Sequence, residues 1–206
     1  MKLLQQRIGT EFVYEEFGKE DLNAIAKRAP GSLFGIAANV WNRIVFKKWH
    51  SVDPRALAAS FQRSDPDLHL VISDKLSIEV IRDIYYVRGW KTPKRRSNLV
   101  VELLVAHVYR DDLQLADITI RDPGLPLLKA QRRFAFQTHK GFGLLPTLMD
   151  NLRVQAEKRH CDQLTLTAAT RDQVELFLRY GFVVEKSPSG RIAMQLGFGI
   201  PMERNV

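Results

Sequence analysis

A run of helix-spaced apolar residues follows a glycine-bearing turn in the second half of the chain. Apolar residues after Gly143 recur at steps of three and four, which predicts a long helix with one apolar face. They are Leu144, Leu145, Leu148, Met149, Leu152 and Ala156. Before the turn, Phe134 and Phe136 stand at alternating positions within residues 133–137, a pattern typical of a strand. The predicted order is therefore strand, glycine turn and helix.

Towards the C-terminus the pattern changes to short strands and one short helix. Leu164 and Leu166 alternate with threonine and predict a half-buried strand. Thr170 stands at an N-cap position, with Asp172 in the first turn, ahead of a helix that ends near Gly181. The predicted apolar face of this helix consists of Val174, Phe177 and Leu178. Two further strands are predicted at residues 183–185 and 191–198, joined by a turn at residues 187–190.

The middle of the chain predicts a β-hairpin, with strands at residues 99–109 and 113–120. The first of these strands is almost continuously apolar, which predicts a central strand covered on both faces. A proline-rich loop follows the hairpin. Residues 93–97 are the predicted boundary between an N-terminal region, residues 1–97, and a core, residues 98–206.

Weaker patterns occupy the N-terminal region. The predicted elements are a strand at 11–17, a helix at 19–29, a helix capped by Ser32 that reaches Trp49, a helix that begins at Asp53 and Pro54, a strand at 68–72, and a helix or strand at 75–87. About 40 residues of this region are interpreted as an insertion or a lid over a substrate.

Composition indicates an ordinary globular protein. The chain has 206 residues, of which 45% are hydrophobic and 26% are charged, so disorder is not expected. No apolar run is long enough to span a bilayer, the N-terminus turns polar too early for a signal peptide, and no membrane partner is expected. The single cysteine, Cys161, excludes an intramolecular disulfide and fits a reducing compartment. A cytoplasmic location is expected.

Residues 139–143, called the glycine turn here, carry the most distinctive candidate chemistry. A glycine-bearing turn that opens a helix leaves backbone N–H groups unpaired, with the positive end of the helix dipole behind them. Such a turn can hold a phosphate group, and Lys140 adds a positive charge within it. The alternative is an ordinary strand-to-helix connection.

The order of elements over residues 98–198 resembles the C-terminal half of the GNAT family of acyl-CoA N-acyltransferases. The matching features are the glycine turn before a long helix and a second helix that ends in Gly181 and Phe182. This resemblance implies an α/β fold, with a central, mixed and mostly antiparallel sheet flanked by helices. It also implies acetyl-CoA as co-substrate, with its pyrophosphate held at the glycine turn.

The resemblance assigns a set of cofactor-binding residues. The strand before the turn is expected to pair with the pantetheine arm, and the turn and the start of the second short helix are expected to contact the cofactor. The residues are Phe134, Ala135, Phe136, His139, Lys140, Gly141, Phe142, Gly143, Leu144 and Thr170. Two positions depart from the family pattern: Thr138 replaces the arginine or glutamine that leads the turn, and Phe177 replaces the tyrosine that protonates the departing thiolate.

Glu102 is the predicted catalytic base, because it lies within an apolar strand of the core. The alternative is a structural glutamate in a salt bridge, for instance with Arg132 or Arg133. Asp117 and His107 are weaker candidates. Tyr180 is the phenol nearest to the missing tyrosine and can either protonate sulfur or simply pack. No metal site is expected, because the histidines are scattered and there is one cysteine.

The net charge of +8 leaves nucleic acid, tRNA in particular, open as a partner or acceptor. Basic residues cluster at 91–96, 129–133 and 158–160, but no known nucleic-acid-binding motif accompanies them. The same charge would help to capture polyanionic coenzyme A. The predicted function is transfer of an acetyl group from acetyl-CoA to an amine of a small molecule, a protein or an aminoacyl-tRNA. The alternative is a catalytically degenerate member of the fold that binds CoA, a protein or nucleic acid. A homodimer and other oligomeric states remain open.

Overall fold

The computed structural model describes residues 5, 6, 8, 12–48, 80–109 and 111–206. Its centre is a seven-stranded mixed sheet with the strand order β1-β2-β3-β4-β5-β7-β6. The strands are β1 (Phe12–Phe17), β2 (Ile81–Lys91), β3 (Leu99–Val108), β4 (Asp112–Ile120), β5 (Gln163–Ala168), β6 (Val183–Val184) and β7 (Ile200–Asn205). The helices are α1 (Leu22–Arg28), α2 (Pro30–Lys48), α3 (Leu145–Lys158), α4 (Arg171–Leu178) and α5 (Pro188–Leu196). The predicted fold class is confirmed.

Helices cover both faces of the sheet. On one face, called the α2 face here, Ile25 of α1 and Ile36 of α2 pack against Tyr86 and Leu104 in one buried cluster. On the other face, the α3 face, Met149 and Leu152 of α3 and Val174 and Phe177 of α4 pack over β4, β5 and β7 in a second cluster. Since Leu104 belongs to the α2 face and Val105 to the α3 face, β3 is the doubly covered central strand that its apolar sequence predicts. Among the described helices, none combines the length and apolar character that a bilayer span requires.

The parallel strands β4 and β5 pair over only part of their length. Their pairing runs from Asp112 opposite Gln163 to Leu115 opposite Leu166, and then stops although β4 continues to Ile120. At the same level the β3–β4 register shifts, so that Ala116 is an extra residue in β4. The two strands therefore diverge, and within the described residues the β5-facing edge of β4 from Ala116 to Ile120 has no strand partner. This opening is called the β4–β5 cleft here.

Two predicted strands are wrong. Residues 133–137 form turns, in which Gln137 N donates to Phe134 O and the rings of Phe134 and Phe136 stack at 5.3 Å. Alternation over five residues did not produce a strand, because the segment folds into its own turn and Ala135 N donates to the Asp172 carboxylate instead of to a neighbouring strand. Residues 191–198 lie mainly in α5 and not in a strand. The Ser187 hydroxyl caps that helix by accepting from Gly190 N, and Gly197 ends it with a φ of +79°.

The sequence did not predict β7, and residues 188–190 of the predicted turn begin α5. The other described elements agree with the sequence in kind and differ in their bounds. The hairpin of β3 and β4 is confirmed, and Gly181 ends the stretch after α4 with a φ of +79° as expected. Ser32 is not a helix cap, because α2 already begins at Pro30. Leu178 is half exposed and does not belong to the apolar face of α4. The predictions for Trp49, for the helix at Asp53 and Pro54, for the strand at 68–72 and for residues 75–79 lie outside the described residues.

Candidate functional site

The glycine turn lies at the N-terminal end of α3. Within the described part of the chain, the N–H groups of Gly141 and Gly143 have no hydrogen-bond acceptor, and no side chain caps the helix. Gly143 has a φ of +67°, a conformation that L-residues with a side chain adopt only under strain. The turn therefore presents free amides and the positive end of a helix dipole at one place, which suits an anion.

Backbone hydrogen bonds anchor the segment that enters the turn. Lys140 N donates to Leu125 O at 2.9 Å, and Asp122 N donates to Lys140 O at 2.7 Å. The amide of Lys140 is consequently engaged and not free for a phosphate, whereas its side chain is exposed. His139 forms an isolated β-bridge with Pro126, and its Nδ1 lies 2.9 Å from the hydroxyl of Thr138. The turn is thus held by a loop and not by the predicted strand.

Phe134, Ala135 and Phe136 lie against the start of α4. Ala135 N donates to the Asp172 carboxylate at 2.9 Å, next to Thr170 at the N-cap position. A cavity of about 390 Å³ opens there between the loop and α4, and it is lined by Lys129, Arg132, Arg133, Phe134, Ala135, Asp172 and Glu175. The structure therefore brings the predicted segment and α4 together, but it does not offer the strand edge that was expected of residues 134–136.

Glu102 lies on the α2 face and is a structural partner as well as a candidate base. Its Oε1 accepts a hydrogen bond of 2.5 Å from the Tyr86 hydroxyl and lies 3.2 Å from Arg88 Nε. Burial and the hydrogen bond to Glu102 raise the pKa of Tyr86, so the phenol remains a donor. The salt bridge that the sequence leaves open exists, with Arg88 as partner. In the described chain, Glu102 Oε2 has no recorded partner.

Asp117 joins Glu102 on the same face of the sheet. Asp117 lies opposite Leu104 and Glu102 opposite Thr119, so the two carboxylates are diagonal neighbours on adjacent strands. Burial, followed by the negative charge of Glu102, raises the pKa of Asp117. Ser32 of α2 donates to its Oδ2 at 3.3 Å. Glu102 and Asp117 are called the carboxylate pair here, and Asp117 is the member on the strand that borders the cleft.

His107 does not join this pair. It lies opposite Asp83 and Leu113 near the far end of β3, with its Nε2 3.9 Å from Asp111. Burial, and next the charge of Arg82, lowers the pKa of His107. His107 lies on the α3 face, so the sheet stands between it and the carboxylate pair.

The region of the missing tyrosine is a packed core. Phe177 is 5% exposed and meets Phe182 edge-on at 5.9 Å. Tyr180 packs, partly buried, against the same cluster, which agrees with the packing alternative. Cys161 is buried, and burial raises its pKa to about 11, so it is no nucleophile at neutral pH. No group of three metal-ligating side chains occurs in the described ranges.

The sequence did not foresee that Asp117 would lie beside Glu102. If the hairpin register starting at Val108 opposite Asp112 continued unbroken, Leu104 would face Ala116, and Asp117 would point to the α3 face. The extra residue Ala116 reverses this and places Asp117 on the face of Glu102. Arg88, Arg96 and Arg121, described below, also belong to this face; of these, only Arg96 lies in a basic cluster noted from the sequence.

No protein-family model and no curated protein matches the chain. The solved structures that match include acetyltransferases. Nourseothricin acetyltransferase is 16% identical at a TM-score of 0.38, over 59% of this chain and 65% of that chain, so the match spans less than two thirds of its length. An acetyltransferase of the GNAT family from Staphylococcus aureus is 12% identical at a TM-score of 0.38, over 94% of this chain and 98% of that one.

A third match is a GNAT family acetyltransferase from Elizabethkingia anophelis with acetyl-CoA bound. It is 11% identical at a TM-score of 0.36, over 60% of this chain and 76% of that one. Two of these three matches are named as acetyltransferases of the GNAT family, the family that the sequence resembles. These likenesses are distant in sequence and in superposition, so the function proposed below depends on the chain's own cleft, turn and side chains.

Proposed function

We propose that this protein transfers an acetyl group from acetyl-CoA to the amino group of an acceptor. The observation that carries the proposal is a juxtaposition: β4 borders an open cleft, has Asp117 on one face beside Glu102 of β3, and leads through one loop to the free amides of the glycine turn. Such an arrangement can bring the acyl group of an extended thioester cofactor and an amine to one place.

The chain's residues fit acetyl-CoA, which supplies an activated acyl thioester. The amides of Gly141, Gly143 and Leu144 would hold the pyrophosphate at the N-terminal end of α3. The β5-facing edge of β4, residues 116–120, is an unpaired strand edge that can pair with the amide groups of the pantetheine arm. This edge takes the role first expected of residues 134–136. Lys129, Arg132 and Arg133 line the nearby cavity at α4 and add positive charge for a polyanionic cofactor.

The carboxylate pair would prepare the acceptor. An amine is protonated at neutral pH and must lose a proton before its nitrogen can attack a carbonyl carbon. Asp117 borders the cleft and has a raised pKa, which suits a proton acceptor. Glu102, the base that the sequence favours, has Oε2 available to bind the ammonium group. We assign Asp117 as the base, with Glu102 as the group that orients the amine.

A second candidate function is binding of CoA without catalysis. Phe177 favours it, because this buried ring has no proton to donate to a departing thiolate. Solvent, Tyr180 or the dipole of a helix would have to stabilise the thiolate in an active enzyme. The glycine turn is common to both functions, so a cofactor-binding test does not separate them, but release of thiol does.

Cofactor binding and thiol release together test the proposal. A Cβ at Gly141 would lie 3.7 Å from Ile120 O, an ordinary contact, so Gly141→Val should fold yet obstruct the approach of a phosphate. We expect calorimetry to show at least a tenfold loss of acetyl-CoA affinity in Gly141→Val. The control is Gly35→Val, because a Cβ at Gly35 meets nothing within 4 Å.

Thiol release should appear when acetyl-CoA and a broad panel of amines are added to the parent protein. Undiminished acetyl-CoA affinity in a folded Gly141→Val protein contradicts the assignment of the turn. Tight cofactor binding without thiol release for any amine in the panel leaves the second candidate in place of the first.

A further inference from the structure

A cavity of about 500 Å³ on the α2 face includes Glu102 of the carboxylate pair in its lining. Six side chains with charged or hydroxyl groups line it, and it is called the arginine pocket here. They are Arg28, Arg88, Arg96, Glu102, Thr119 and Arg121. Because they come from α1, β2, the 3₁₀ turn Arg96–Asn98, β3, β4 and the residue after β4, only the folded sheet assembles them.

The pocket has a surplus of positive charge. Four guanidinium groups face one carboxylate, Glu102, which is already paired with Arg88. Arg28 has a weak partner, since its Nε lies 4.0 Å from Glu15, which also pairs with Lys94. The positive charges of Arg96 and Arg121 are therefore the feature to explain.

Arg96 and Arg121 have no carboxylate partner in the described chain. Arg121 uses Nε to donate to Leu99 O at 3.2 Å, which fixes the side chain and leaves both terminal nitrogens available. Arg96 is exposed, and its side chain makes no hydrogen bond or ion pair within the described chain. Guanidinium groups that line a cavity with free donors are suited to a carboxylate or a phosphate, which each can bind with two parallel hydrogen bonds.

The pocket is contiguous with the proposed site of proton transfer. Thr119 is two residues beyond Asp117 on the same face of β4, and Arg121 is four residues beyond it. At about 3.3 Å per residue, these positions lie about 7 to 13 Å from Asp117 along the strand. An acceptor whose amine lies at the carboxylate pair would extend its other end into the pocket.

We infer that the acceptor is an amine that also carries a carboxylate or phosphate group, bound by Arg96 and Arg121. This inference rests on the proposed function and names the substrate class of that same site. Glu102 and Asp117 attract the ammonium end, and the arginines attract the anionic end, so a zwitterionic acceptor is oriented along β4. A polycationic amine is repelled by the same arginines.

Matched pairs of acceptors test the inference. Each pair has the same amine and chain length and differs in one anionic group: 6-aminohexanoate against 6-aminohexanamide, and 5-aminopentyl phosphate against 5-aminopentanol. Spermidine serves as the polycation. We expect kcat/KM to be at least tenfold higher for the anionic member of at least one pair, and the two pairs distinguish a carboxylate from a phosphate preference.

Arg96→Gln and Arg121→Gln should reduce that preference. We expect kcat/KM for the anionic acceptor to fall about tenfold or more, mainly through KM, while the neutral member changes by less than about threefold. The KM for acetyl-CoA should stay the same. Arg82→Gln is the matched control, because Arg82 pairs with Asp111 at the opposite end of β2 and lies outside the pocket.

The inference would be overturned by equal kcat/KM values within both pairs of acceptors. It would also be overturned if the arginine variants lost the same factor for anionic and neutral acceptors. A rise in the KM for acetyl-CoA alone would assign the pocket to a cofactor phosphate instead. If no acceptor releases thiol, the proposed function fails separately. Calorimetric titration of the CoA-bound protein with 6-aminohexanoate and 6-aminohexanamide then decides the pocket's preference alone. Binding of the acid to the parent and its loss in Arg121→Gln support the inference, and no difference refutes it.

Discussion

The glycine turn and the α2 face of the sheet are two binding regions built in different ways. The turn offers backbone amides, a glycine with positive φ and a helix end, all from consecutive residues. The α2 face offers side chains from different elements, among them Arg88, Glu102 and Asp117, which only strand pairing brings together. The comparison teaches that the turn depends on backbone conformation, whereas the α2 face depends on strand register and is sensitive to single side-chain substitutions.

The largest expected effect is at the α2 face. Asp117→Asn removes the proposed base without changing its size, so we expect kcat to fall about a hundredfold or more while acetyl-CoA affinity is unchanged. Steady-state kinetics and calorimetry measure the two quantities. The control is Asp150→Asn on the exposed side of α3. Equal kcat values in Asp117→Asn and the parent protein would reject Asp117 as the base.

A smaller effect is expected for Glu102→Gln. The amide keeps an oxygen that can accept from Tyr86 but loses the negative charge that attracts the ammonium group and pairs with Arg88. We expect kcat/KM to fall about tenfold, largely through the KM of the amine. Amine-dependent kinetics at fixed acetyl-CoA concentration test this. If kcat falls further in Glu102→Gln than in Asp117→Asn, Glu102 is the base and Asp117 orients the amine.

At the glycine turn, the comparison predicts a modest effect on stability. Gly143→Ala should lower the free energy of unfolding by about 1 kcal/mol, because alanine is strained at a φ of +67°. Gly141→Ala is the matched control, since its Cβ has room and its φ is not in the left-handed region. Urea denaturation of both variants gives the two values. Equal stabilities would show that the turn adopts another conformation in solution.

The smallest expected effect is a pH dependence of stability at Asp117. Burial and the charge of Glu102 raise its pKa in the folded protein, so the folded form holds this proton more tightly than the unfolded chain does. The free energy of unfolding therefore falls as pH rises from about 3.9, the ordinary aspartate pKa, through the raised value. Asp117→Asn lacks this loss.

Urea denaturation of parent and Asp117→Asn proteins from about pH 3.5 to pH 7 measures the difference. The free energy of unfolding of Asp117→Asn minus that of the parent protein should increase as the pH rises through this window and then stay constant. A difference that is the same at every pH would mean that the pKa of Asp117 equals that of the unfolded chain.

Nucleic acid as a partner is a further proposal, and it can be tested at the α2 face. Lys91 pairs with Asp122, Lys94 with Glu15, and Arg159 with Asp83, so three of the basic residues noted in the sequence have an acidic neighbour. We expect only weak, salt-sensitive binding of tRNA in gel-shift assays. Tight binding that is lost in Arg96→Gln would instead make the arginine pocket part of a nucleic-acid surface.

The sequence by itself determined the elements whose signals are local. The apolar face of α3, the hairpin of β3 and β4, the left-handed Gly181 and the glycine turn all depend on neighbouring residues, and each could be predicted. Local alternation misled at residues 133–137 and 191–198, because a strand also needs backbone partners on a neighbouring strand: Ala135 N donates to the Asp172 side chain instead, and residues 191–196 make the hydrogen bonds of α5.

Only the tertiary structure decided the composition of the candidate site. The single extra residue Ala116 turns Asp117 towards Glu102, and a bulge of one residue has no clear mark in the sequence. The divergence of β4 from β5 and the assembly of Arg28, Arg96 and Arg121 around one cavity likewise arise from segments far apart in the chain. Side chains on a sheet alternate between its faces, so their neighbours depend on register, and register is settled only when all strands pack together.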